Sequence, residues 1–199
     1  DLRADLLRRE QEQRLECERL IRDQRTLLEN ARALRAGLDD PARPFDDEAA
    51  RLLATTEKRQ RLVAHRCTAI AEPLAQVLAE VENNRLEADA QVARDRLHGR
   101  IIQPLRRLAQ QEVIAAADAL DRAKTTGDDA AACKARLDEA VAGQRQVLAT
   151  LSNVLQNMVK WEGYQEAVSL LREVLRAQKN VNQETVEEYE RRIRSIFDE

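Results

Sequence analysis

The sequence predicts an all-α fold, an elongated antiparallel coiled-coil bundle, and three observations carry that prediction. Only five glycines and four prolines interrupt 199 residues, so helix is favoured almost throughout. Aromatic residues make up 3% of the chain and charged residues 35%, a mixture suited to thin bundles in which most residues keep one side in water. Apolar residues recur three and four positions apart over long stretches, the period of a helix with one buried face.

The first helix is expected over about residues 1–38, where Leu6, Cys17, Leu20, Leu27, Ala31, Leu34 and Leu38 share a seam with Gln13 and Gln24. It stops at Asp39-Asp40-Pro41-Ala42-Arg43-Pro44-Phe45-Asp46, where two prolines end one helix and the flanking aspartates cap the next. A second helix follows over about 46–124, with Leu52, Thr56, Val63, Cys67, Ile70, Leu74, Val77 and Val81 on one face. Its pattern thins at Asn83, Asn84 and Glu87, then resumes from Ile102 through Leu105, Ala109, Val113 and Ala116 to Leu120. It reads as one long helix, with a kink at Pro73 and a kink or break between 97 and 104, where Gly99 and Pro104 fall.

Thr125-Thr126-Gly127-Asp128-Asp129 is the second turn, a glycine stop followed by candidate N-caps. A third helix is expected over about 129–197. Its seam runs Cys133, Leu137, Ala140, Gln144, Val147, Leu151, Val154, Met158, Trp161, Gln165, Val168 and Leu175, and Tyr189, Ile193 and Ile196 extend it. Heptads sustained this long argue for coiled-coil packing. The two turns together predict three helices at one end tapering to a two-helix hairpin with its tip at Gly127, all in one domain, 1–199. Asp1 already falls inside a helical pattern, so the chain reads as a segment of a longer protein.

Charge narrows the function classes. The 33 basic and 36 acidic residues are interspersed and net −3, which does not provide the basic surface that nucleic acid requires. No apolar run approaches the ~20 residues that span a bilayer. A membrane-shaping module of the BAR type is a second reading, since those are also kinked antiparallel helical rods; its basic residues would be Arg96, Arg100, Arg106 and Arg107 with Arg191, Arg192 and Arg194. Membrane contact is otherwise not expected. A third reading, a bundle that binds a metal or cofactor, rests on Asp95 and His98 at the i, i+3 spacing of di-iron bundles. Such sites need a second motif of that kind, and leucine occupies position 62, three before His65. No metal and no cofactor is expected.

Nor is an enzyme. The serines Ser152, Ser169 and Ser195 all sit within helical pattern, and no glycine-rich loop is present to cradle phosphate. Two features remain. Cys17 and Cys67 should face each other, because a turn near residue 42 makes facing positions add to about 84. They are either a disulfide between helices, which implies an oxidising compartment, or two small buried hydrophobes. The stretch Trp161-Glu162-Gly163-Tyr164 places a tryptophan on the seam beside a mid-helix glycine. Trp161, Gly163 and Tyr164 are therefore candidates for docking a partner, while the competing reading has Trp161 filling the gap where three helices become two.

From Trp161 through Leu171-Arg172-Glu173 to Gln178-Lys179-Asn180, the sequence resembles segments of large bacterial envelope proteins rich in coiled coil. That resemblance implies an envelope or periplasmic setting. The function expected from the residues is that of a non-enzymatic structural module, a spacer or docking rod that meets a protein partner or a second copy through its helical faces.

Overall fold

In a computed structural model the chain is all helical; the structure describes residues 2–39, 45–83, 90–126 and 129–197. Four long helices account for nearly all of them: α1, Leu2–Gly37; α2, Asp47–Asn83; α3, residues 90–124; and α4, Ala130–Phe197. Asp40 to Pro44, Asn84, Glu87, Gly127 and Asp128, to which the sequence assigns turns and a thinned pattern, lie outside the described residues. By compactness the chain divides into two units, Asp1–Val159 and Lys160–Glu199.

The helix starts follow the capping rules. The Asp46 carboxylate accepts from the Ala49 N–H at 2.8 Å, and that of Asp129 accepts from the Ala132 N–H at 2.9 Å, each satisfying a donor that the first helical turn leaves open. Asp47 and Glu48 add negative charge to the first turn of α2, where the helix dipole favours it. At the end of α3 the hydroxyls of Thr125 and Thr126 donate to the carbonyls of Arg122 and Ala123, at 3.0 and 2.7 Å.

The single helix expected over 46–124 is a correction: α2 ends at Asn83, and α3 packs back along it. Glu82 meets Arg94 at 2.9 Å, Glu72 meets Arg106 at 2.9 Å, and Arg61 meets Asp118 at 3.0 Å. One residue number falls as the other rises, so the two helices are antiparallel. Of the kink or break expected between 97 and 104, the break does not occur, since the helix continues through these residues. Two π-helical turns, Arg94–Ile102 and Leu108–Glu112, lie within α3 instead. In the first, the Gln103 N–H bonds to the His98 carbonyl, and the wider ladder just ahead of Pro104 absorbs both its missing donor and its ring. α2 likewise runs through Pro73.

The first unit is therefore a bundle of four helices, up-down-up-down, and not three tapering to two. α1 runs antiparallel to α2, with Arg9 to Glu80 at 2.6 Å and Arg66 to Asp23. α3 runs antiparallel to α4, with Arg122 to Glu139 at 2.8 Å and the position of a Gly143 Cβ only 3.2 Å from that of Ala116. α1 and α4 close the ring through Arg35 to Asp138 at 2.9 Å and Lys134 to Asp39 at 2.5 Å. Leu28, Leu34, Leu53, Leu120, Leu137 and Ala140 form a core drawn from all four helices, the usual way a bundle buries its stripes.

Candidate interaction surface

Inside the bundle, a cluster of polar side chains is turned inward. Gln24, Gln60 and Gln144 are fully buried, one each from α1, α2 and α4. The Gln24 and Gln60 amides donate to each other at 3.3 and 3.0 Å, and the Gln144 amide donates to the Gln60 carbonyl oxygen at 2.9 Å. The Gln144 Oε1 is left without a partner. Gln24 and Gln144 lie on the seams read from the sequence, and the structure buries both in the core, where such a cluster fixes register. Gln60 was missed, although its spacing from Thr56 and Val63 marked it as a seam position. Gln13 is only partly buried.

Cys17, Cys67 and Cys133 are free and buried. Burial pushes the thiols of Cys17 and Cys67 up to about 12, the direction expected when a charged form loses water, and Cys17 adds to the upward shift of Cys67. Among the described residues no group of three His, Cys, Asp or Glu side chains is placed to hold a metal ion; Asp95 instead accepts from Gln91 at 2.8 Å. The Ser152 hydroxyl is occupied, donating to the Leu148 carbonyl at 2.8 Å.

Three of the seven basic residues singled out for a membrane surface have acidic partners. Arg106 bonds to Glu72 and Arg107 to Glu112, each at 2.9 Å, and Arg191 lies 3.8 Å from Glu188. The side chains of Arg192 and Arg194 lie outside the described residues, as do those of Gln165, Tyr189, Ile193 and Ile196. No helix among the described residues is long and apolar enough to cross a membrane.

The second unit has a different character. Trp161 is 2% exposed and stacks on Tyr164, with ring centroids 5.8 Å apart and planes at 28°. Gly163 has open space where a Cβ would stand, so no close approach requires a glycine there. Beyond this point Leu170, Leu171, Val174, Leu175, Val181 and Val186 are each more than half exposed, Leu171 and Leu175 reaching 63%. Scattered exposed apolar residues are ordinary; a row of them along one helix is an apolar face with nothing on it.

The architecture defines an all-helical protein containing a four-helix bundle. No protein-family model matches the chain, and neither a curated protein nor a solved structure shows significant similarity to it.

Proposed function

We propose that the chain is a non-enzymatic helical interaction module, a spacer or docking element that engages protein through residues 160–188. The observation that carries this reading is the row of exposed leucines and valines from Leu170 to Val186. A helix with such a face gains most of its stability from packing that face against something. The buried thiols of Cys17 and Cys67, pushed up to about 12, support a non-catalytic role, because the thiolate is the reactive form.

The test is a photo-reactive side chain placed at Val174 or Val181, with controls at Arg22 and Glu29, which are exposed on the bundle. Discrete protein adducts are expected from the first pair and not from the controls. No protein adduct from either Val174 or Val181 would overturn the reading.

A further inference from the structure

We infer that the outer face of α2 around Leu62 is a second docking surface, and that it takes an acidic helical segment of a partner protein carrying one apolar anchor. This surface stands apart from residues 160–188. It is built from different side chains, on the bundle, and either surface can fail without the other.

Leu62 is 57% exposed, more than any other large hydrophobic residue described in the bundle. It borders a groove between α1 and α2 that is lined by Asp23, Thr26 and Leu27 on α1 and by Arg59, Val63 and Arg66 on α2. Leu27 and Val63 are both buried, so they form an apolar base under a polar rim. Arg22 and Glu29 are exposed on α1 but do not line the groove.

The charges around Leu62 select what can lie on it. The neighbours of a residue on its own helix face stand three and four positions away, and for Leu62 these are Lys58, Arg59, His65 and Arg66. None is acidic. From Arg51 to Ala69 the one acidic residue is Glu57, which is buried and bonded to Arg61, on the side of α2 that faces α3. Arg66 is held by Asp23 and Glu16. Lys58 and Arg59, in contrast, are exposed and make no ion pair among the described residues. A chain of net charge −3 therefore sets open positive charge around its exposed leucine.

Lys58 and His65 stand about two helical turns apart, about 10.5 Å along the axis, with Leu62 between them. A helix whose apolar anchor has carboxylates one turn to either side repeats that spacing with the opposite sign. It can seat the anchor against Leu62 while its carboxylates meet Lys58, Arg59 and the imidazole of His65. A lipid surface fits less well, because interfacial binding grows with the apolar area inserted, and this face offers a single large apolar side chain.

Fluorescence anisotropy on the full chain tests this, with a labelled alanine-based helical peptide that carries one central leucine and glutamates three and four residues to either side. Saturable binding is expected, several-fold weaker at about 0.5 M ionic strength than at about 0.05 M. Leu62→Gln, and separately Lys58→Glu with Arg59→Glu, should each weaken binding about tenfold or more, while circular dichroism shows unchanged melting, because these side chains are exposed. Arg32→Glu, on the side of α1 opposite Asp23, should bind as the wild type does, and a peptide with lysines in place of the glutamates should not bind. No saturable binding of the acidic peptide, or binding that survives the Lys58 and Arg59 reversal, would overturn the inference. Pelleting with phosphatidylserine vesicles, or dimerisation of the chain alone, would also overturn it if that same reversal abolished the effect, since the occupant would then be lipid or a second copy.

Discussion

Cys17 and Cys67 show how burial sets chemistry at a single side chain. Both are completely buried, and both thiols are pushed up to about 12, chiefly by loss of water. The sign of the linkage follows. An acid whose folded value lies above its unfolded value adds stability that is fully present below the unfolded value, about 8.5 for a thiol, and is lost as pH rises from there toward 12. Unfolding experiments are therefore expected to show stability falling above about pH 8.5, and replacing both residues with alanine should flatten that alkaline slope. At neutral pH a thiol reagent should label neither residue until the bundle opens. Rapid labelling of native protein would contradict their burial.

At the scale of elements, the three glutamines tie α1, α2 and α4 together, and their roles are unequal. Gln60 donates once and its carbonyl oxygen accepts from both neighbours, whereas Gln144 contributes one donor and carries a buried oxygen with no partner. Replacing Gln60 with methionine strands the amides of Gln24 and Gln144, and should cost about 2 kcal/mol or more, since each unsatisfied buried group costs about 1–3 kcal/mol. Replacing Gln144 with methionine removes an orphan and leaves the Gln24–Gln60 pair intact, so its effect should be near neutral or stabilising. Chemical denaturation of the two variants would show the contrast; equal losses would contradict the hydrogen-bond pattern.

The same elements show what the sequence could reveal. The helix starts were legible because Asp46 and Asp129 are side chains with a capping function that depends on little else. The end of α2 was harder to place. Asn83, Asn84 and Glu87 thin the apolar pattern without supplying a proline or glycine, while Gly99 and Pro104, stronger breakers by local rules, sit where α3 continues. Packing overrode propensity there, and the π-turn before Pro104 is how the backbone accommodated it. A wrong break point changes the helix count, which is why a three-helix taper was expected where four helices pack. Gln60 was overlooked for a related reason: polarity masked a residue whose spacing already placed it on the buried face.

For the molecule as a whole, the two units use the same heptad-like pattern to different ends. In the first, apolar stripes from four helices close on one another and surface charges pair across neighbouring helices. In the second, the seam read from the sequence reaches Leu175, and Leu175, Leu170, Leu171, Val174 and Val181 are all exposed. Periodicity alone could not distinguish a covered seam from an open one, because both write the same spacing into the chain. That open seam is the basis for proposing that the protein works by binding protein.

Segment-resolved hydrogen exchange tests that claim most directly. In dilute, isolated chain the amides of residues 168–188 should exchange orders of magnitude faster than those of residues 97–120, whose side chains help build the bundle core. Protection of 168–188 should then appear when the partner, or a concentrated solution of the chain itself, covers the face. Core-level protection of 168–188 in the dilute chain would contradict the open face, and so would fast exchange that persists once the protein is assembled.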